Sequence, residues 1–251
     1  MSLPPSPPLP PASYSLVNTS LPALPLPPNS SRPPILTPRL LLRPLLPTDL
    51  PALFTLRSQP SVMANNPQGR PDASASESLP HLNRFLPPND VSTYNFAICL
   101  RDRPDEMIGL GGCHRLDVTS LFGWPVVGYQ LREEYWGRGL ATEFLKAWLE
   151  AWGKLPRENV ERRVHPATVV PVSASGGEGD CAEVGAVTVA EEVLSSWVLS
   201  DNVASQRVLE KGGMELCLVQ REKDLRDQGK EVELRVYRYS AGRKREGERR
   251  V

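Results

Sequence analysis

A run of strand length, Val126-Val127-Gly128-Tyr129-Gln130-Leu131, leads through a glycine-bearing turn, Trp136-Gly137-Arg138-Gly139, into an amphipathic helix, and no other stretch limits the fold as tightly. From Ala141 onward apolar side chains fall at Phe144, Leu145, Trp148, Leu149 and Trp152, the stripe of a helix packed along one side. Gly153 follows as a stop. Strand, glycine turn and helix together aim backbone N–H groups at a phosphate, because a helix start carries unpaired donors and partial positive charge. Arg132 and Arg138 add full charges nearby. Taken alone, the segment fits a ligand-free turn equally well.

A second segment decides between these. Asn202 to Met214 forms a short helix, capped at Asp201 or Asn202 and stopped by Gly212-Gly213. Together the two segments resemble the GNAT superfamily of N-acetyltransferases. The stretch Tyr135 to Glu143, with Asn202, Ser205, Arg207 and Lys211, is most similar to its RimJ/RimL-type branch, as is the opening Thr37-Pro38-Arg39-Leu40-Leu41-Leu42-Arg43-Pro44. The resemblance spans roughly residues 35 to 240. It implies an acyl-CoA N-acyltransferase fold in which the glycine loop holds the pyrophosphate of acetyl-CoA and the Asn202 helix lies along the pantetheine arm. The implied cofactor-binding residues are Gln130, Leu131, Arg132, Trp136, Gly137, Arg138, Gly139, Leu140, Ala141, Thr142, Asn202 and Arg207.

The ends of the chain subtract themselves from this domain. Residues 1–34 hold 12 of the 27 prolines and no acidic residue, so they are expected as a disordered, polyproline-like arm. Prolines interrupt every apolar run there, and Arg32 is its one basic residue, which excludes a secretory signal and argues against a mitochondrial presequence. Docking of an SH3-type or WW-type module on that arm is the functional alternative. Residues 241–251 form a basic tail, which keeps a nuclear location open beside the expected cytoplasmic one. A formal net charge of zero predicts no bulk nucleic-acid binding. Nor does any apolar run reach membrane-spanning length. Cys99, Cys113, Cys181 and Cys217 show no CxxC spacing and are expected as reduced thiols, and no metal-ligand spacing links the three histidines. The Cys113-His114 pair is set aside as nucleophile and base, because strand neighbours point to opposite faces.

Periodicity predicts strands at Leu40–Leu45, Tyr94–Leu100, Met107–Cys113, Val126–Leu131, Leu194–Leu199, Met214–Gln220 and Val232–Tyr239. Helices fall after the first strand, near Ser76–Phe85, after the glycine turn and from Asn202. The result is an α/β fold with a mixed, mostly antiparallel sheet flanked by helices, in which the Val126 and Leu194 strands run parallel. The stretch from Trp152 to Leu194 exceeds what a crossover needs. Residues 168–190, small and polar, are expected as a flexible insertion within a 35–240 domain.

Acetyl transfer requires a held thioester, a neutral amine and a proton for the departing thiolate. The resemblance places a backbone N–H near Gln130–Leu131 against the thioester carbonyl, where developing charge is stabilised most effectively. Relatives often carry a glutamate before Gly128-Tyr129, where this chain has Val126 and Val127, and a tyrosine at the position of Leu209. Ser205, one turn into its helix, is then the remaining hydroxyl for the thiolate, with Asn202 beside it; a serine there also has the option of bonding back to its own helix. The expectation is an acetyl-CoA-dependent N-acetyltransferase, without a metal, acting by direct attack in a ternary complex. Its acceptor is a protein or peptide α-amine, with a small-molecule amine as the alternative. A non-catalytic CoA-binding or interaction module of the same fold is the reading from another class.

Overall fold

The computed structural model describes residue 10 and residues 13–114, 116, 121–172, 188–227 and 229–240. In chain order the elements begin with β1 (Ser15–Pro22), β2 (Ile35–Leu36), β3 (Leu40–Arg43), α1 (Leu50–Arg57), α2 (Pro60–Met63) and α3 (Ala75–Asn83). There follow β4 (Tyr94–Leu100), β5 (Arg103–Cys113), β6 (Val127–Leu131), α4 (Leu140–Trp152) and β7 (Arg157–Val164). The last are β8 (Thr188–Val189), β9 (Leu194–Leu199), α5 (Val203–Lys211), β10 (Glu215–Lys223) and β11 (Glu231–Tyr239).

Three sheets result. The largest runs β2-β3-β4-β5-β6, antiparallel throughout, and a second runs β10-β11-β9, also antiparallel. Between them β6 and β9 lie parallel, as expected, and touch through one bridge, Val126 to Ser195. The third sheet, β7-β1-β8, packs at one end.

The apolar stripe of α4 does what its spacing requires. Phe144, Leu145, Trp148, Leu149 and Trp152 are all buried, in one cluster with Phe96 and Ile98 of β4 and Ile108 of β5. Helices α1 and α3 cover the opposite face, placing Leu53, Leu56 and Leu82 in a cluster with Ala97, Cys99 and Leu110. With both faces covered, β4 is buried along nearly its whole length and carries an apolar run rather than a strict alternation. Leu209 of α5 joins Met214 and Tyr237 in the α4-side cluster, which ties the second sheet to the first.

The expected disordered arm is corrected from Ser13 onward. Val17, Thr19 and Leu21 point inward along β1, which pairs with β7 from Ser15 opposite Val164 to Pro22 opposite Arg157. Arg32 is buried, donating to the carbonyls of Pro27, Asp90 and Thr93, with its guanidinium 5.1 Å from the centre of the Tyr94 ring. The physical reason is local. A ten-residue stretch without proline, Ala12 to Leu21, carries the period of a half-buried strand, and averaging over the proline clusters on both sides hides it. Strand β7 was hidden differently: of its eight residues only Val160 and Val164 are apolar.

The expected insertion at 168–190 is likewise trimmed. Thr168, Val170 and Ala190 are buried, and Pro171 bridges Ala190. Residues 173–187 lie outside the described residues, as do residues 1–9, the basic tail 241–251 and Cys181.

Leu21→Ala should therefore destabilise the protein by about 2–5 kcal/mol, the range for emptying a core leucine site. Removal of residues 1–34 should do at least as much. Urea unfolding measures both; a truncated protein as stable as the full chain contradicts the packing of β1.

Candidate active site

Each of β6 and β9 uses only one of its edges. Arg132 N–H bonds the carbonyl of Ile108 across to β5, so by strand alternation the N–H groups of Tyr129 and Leu131 face the other way, toward β9. Strand β9 is paired along its far edge with β11, from Leu194 opposite Tyr239 to Leu199 opposite Leu234. Among the described residues the pairing between β6 and β9 is confined to the Val126–Ser195 bridge, and beyond it the strands part. A cavity of about 1320 Å³ occupies the gap. It exceeds the ~300–1,000 Å³ usual for one small-ligand site.

The glycine turn and α4 stand at one end of this cavity. Gly137 and Gly139 have φ of 71° and 75°, a left-handed backbone that disfavours a side chain. A Cβ on Gly137 would meet nothing within 4 Å, and one on Gly139 would meet only Arg39, at 3.6 Å. The N–H groups of Leu140, Ala141 and Thr142, in the first turn, have no carbonyl within the helix to bond, and all three residues line the cavity. The helix start is held from outside. Glu143 Oε1 accepts from the Thr37 hydroxyl at 2.6 Å and the Arg39 N–H at 2.9 Å, and the Arg39 guanidinium reaches Glu143 Oε2 at 2.6 Å and the Arg138 carbonyl at 2.8 Å. Burial opposes the charged carboxylate, but these hydrogen bonds outweigh it and hold Glu143 below its ordinary pKa.

Of the residues singled out from sequence, Gln130, Leu131, Trp136, Gly137, Gly139, Leu140, Ala141, Thr142, Asn202, Ser205 and Arg207 all line the one cavity. Arg132 and Arg138 do not. Arg132 is tied to Glu106 and, at 3.4 Å, to Glu134, and both guanidiniums lie over the Tyr135 ring at 5.1 and 5.4 Å. Asn202 caps α5, its Oδ1 accepting from Ser205 N–H at 3.1 Å. No bond from the Ser205 hydroxyl back to its own helix is found among the described residues; its side chain lines the cavity beside the Tyr129 hydroxyl.

Two cavity residues escaped the sequence reading. Tyr129 sends its hydroxyl to within 3.4 Å of the Ser205 carbonyl oxygen, and burial pushes its pKa up to about 12 against the smaller opposing effect of the Ser205 side chain. Its alternation on β6 was visible; its reach to α5 across the gap was not. His114 lies on the opposite side. Its neighbour Cys113 is fully buried, while the imidazole faces the cavity, 5.8 Å from the Phe85 ring. A methyl group on Gly128 would sit 2.8 Å from His114 Nε2, so glycine leaves the room that the ring occupies. Desolvation, and to a lesser extent the charge of Arg84, push the imidazole pKa below its ordinary value. The rule that strand neighbours face opposite ways, used to dismiss Cys113-His114 as a pair, is what delivers His114 alone to the cavity.

The sequence from residue 39 to residue 215 matches a family model described as an acetyltransferase (GNAT) domain. No curated protein sequence matches the chain. Among solved structures, a probable GNAT-family acetyltransferase from Chromobacterium violaceum superposes with a TM-score of 0.59 at 18% identity, over 96% of this chain and 98% of that one. A Salmonella typhimurium acetyltransferase that modifies the N-terminal serine of ribosomal protein L7/L12 superposes at 0.56 and 16% identity, over 83% and 99%. The microcin C7 self-immunity acetyltransferase MccE, solved with acetyl-CoA and AMP, gives 0.57 and 13%, over 81% and 93%. Among the described residues no helix is long and apolar enough to cross a membrane.

The clasp on α4 is testable by its pH dependence. A carboxylate whose folded pKa lies below the unfolded value of ~4.3 stabilises the fold fully above that pH, and the contribution is lost as pH falls through the folded pKa. Glu143→Gln should cost about 1–3 kcal/mol at pH 7, with the gap to the parent closing in acid. Denaturant titrations at pH 7 and below pH 4 check this; an equal gap at both would show that charge is not what holds the turn.

Proposed function

The chain belongs to the GNAT acetyltransferases, and we propose that it transfers the acetyl group of acetyl-CoA to a primary amine, with a protein or peptide α-amine as the leading acceptor. The observation carrying this reading is one continuous cavity that joins an open parallel strand edge, a helix start behind two left-handed glycines, and hydroxyl and imidazole side chains. The residues present fit acetyl-CoA. Space in front of Gly137 and Gly139 is open, and no carboxylate lines the cavity among the described residues. The N–H groups of Leu140, Ala141 and Thr142 would hold the pyrophosphate, assisted by Arg207 and Lys211 on α5. The facing edge of β6 offers Tyr129 and Leu131 N–H groups to an arm that carries its own amides.

Acetyl-CoA supplies the acyl group already activated as a thioester. The neutral amine attacks the carbonyl carbon, and a β6 N–H stabilises the charge that develops on the oxygen. The electron pair of the breaking C–S bond goes to sulfur, while a proton leaves the nitrogen. His114, exposed to the cavity and held below the ordinary imidazole pKa by desolvation and by Arg84, stays neutral at working pH, so its ring can accept that proton through Nε2 or a water. Tyr129 stays protonated and, with Ser205, offers hydroxyl donors to the thiolate from the α5 side. His114 takes up the base role left open by Val126 and Val127, and Tyr129 and Ser205 the acid role left open by the buried Leu209. The RimJ/RimL-type wording of Tyr135–Glu143 and the likeness in fold to the Salmonella enzyme support the α-amine acceptor.

Gly139→Asp adds bulk to a left-handed turn and a charge opposed to phosphate. CoA affinity should fall at least tenfold, about 1.4 kcal/mol, in a folded variant. Unchanged affinity by calorimetry removes the phosphate loop.

On catalysis, Ser205→Ala and Tyr129→Phe should each lower kcat by roughly ten- to a thousandfold while barely changing CoA binding. The rate should rise to about pH 8, following the acceptor's own α-amine, and then level. A limb near pH 6 would mean a different base. Tight acetyl-CoA binding with no acetylation across a panel of peptides and small amines would make the protein a non-catalytic member of its family.

A further inference from the structure

We infer that the acceptor carries an anionic group beside the amine, read by Arg84 at the α3 end of the cavity. This deepens the proposed acetyl transfer and rests on it. Position comes first. The helix starts of α4 and α5 lie on one face of the gap, whereas the wall beyond His114 is built from α3 and the loop before it, including Asn66, Gln68, His81 and Arg84. Arg84 lines the cavity together with His81 and His114, and its charge lowers the pKa of both imidazoles.

Charge comes second. The other arginine on this wall, Arg57, is neutralised by the buried Asp72, through bonds of 2.7 and 3.1 Å. Arg84 has no ion pair or hydrogen bond among the described residues, and its side chain is exposed. No aspartate or glutamate lines the cavity among those residues. An uncompensated guanidinium at this end of the cavity attracts a carboxylate or phosphate and repels a second cation. A lysine-rich or polyamine acceptor would bring positive charge to a wall with nothing to receive it. Arg84 also caps the C-terminal end of α3, where a cation stabilises the helix dipole, so its presence alone has a structural explanation. The absence of any acidic counterpart in the cavity lining among the described residues has none in helix capping.

The test uses the full-length protein, acetyl-CoA and α-amine peptides identical except for Asp, Ala or Lys next to the N-terminal residue, together with small amines bearing carboxylate or phosphate. The Asp peptide should show a KM at least tenfold below that of the Lys peptide, with the ratio shrinking as salt rises. Arg84→Gln should raise KM for the Asp peptide at least tenfold more than for the Ala peptide; Arg84→Glu should invert the preference. A purely structural Arg84 would lower stability without moving the KM ratio, and that result overturns the inference. So does a preference for Lys. Preference for small anionic amines over every peptide keeps the anion site and moves the acceptor class. If nothing turns over, acetyl transfer itself fails. Calorimetric titration of the same peptides into the CoA complex still reads the Arg84-dependent preference, so the two failures are distinguishable.

Discussion

Two strands that belong together along a parallel pair are held apart, and the rest of the site follows from that. Strand β6 is fixed by β5 on one edge and β9 by β11 on the other, so the single bridge at Val126–Ser195 is a hinge point from which the facing edges diverge. Backbone N–H and C=O groups are obligatory hydrogen-bonding groups, and a strand edge left open inside a protein needs a partner. Water fills that need poorly beside buried aromatic and aliphatic walls. An extended arm with amides of its own, as in the proposed acetyl-CoA, would fill it well.

The remaining features are arranged around the gap by sign of charge. The start of α4 supplies partial positive charge at one end, and its one nearby acidic side chain, Glu143, is turned outward into Thr37 and Arg39. Arg207 and Lys211 add positive charge along α5, and Arg84 adds it on the opposite wall. The hydroxyls of Tyr129 and Ser205 lie on the α5 side and the His114 imidazole on the α3 side, so proton donors and a proton acceptor flank the gap from opposite faces. That separation suits a reaction in which one proton leaves an incoming nitrogen while another group receives a departing sulfur.

Much of this was legible in the chain. The strand–turn–helix at 126–152 and the capped helix from Asn202 were visible because their signals are local: a 3.6-residue apolar stripe, a glycine turn, an asparagine cap. The parallel relation of β6 and β9 followed from the helix between them. What was not legible depends on side chains meeting across distance. That Glu106, twenty-six residues before Arg132, pairs with it, and that Arg132 and Arg138 both lie over the Tyr135 ring, could not be read from their spacing. Strand β1 was masked by flanking prolines, and β7 by its charged composition. Tyr129 and His114 sit in plain strand contexts, and only the third dimension brings one to Ser205 and the other to Gly128.

Amide hydrogen exchange of the full-length protein with and without acetyl-CoA tests the central claim most directly, because it reads the open strand edge itself. The account predicts slowed exchange at Tyr129 and Leu131 and at Leu140 to Thr142 on ligand binding, with β7 and β1 unchanged. Tight binding that leaves those amides exchanging as before, or that protects a different face of the sheet, would contradict it.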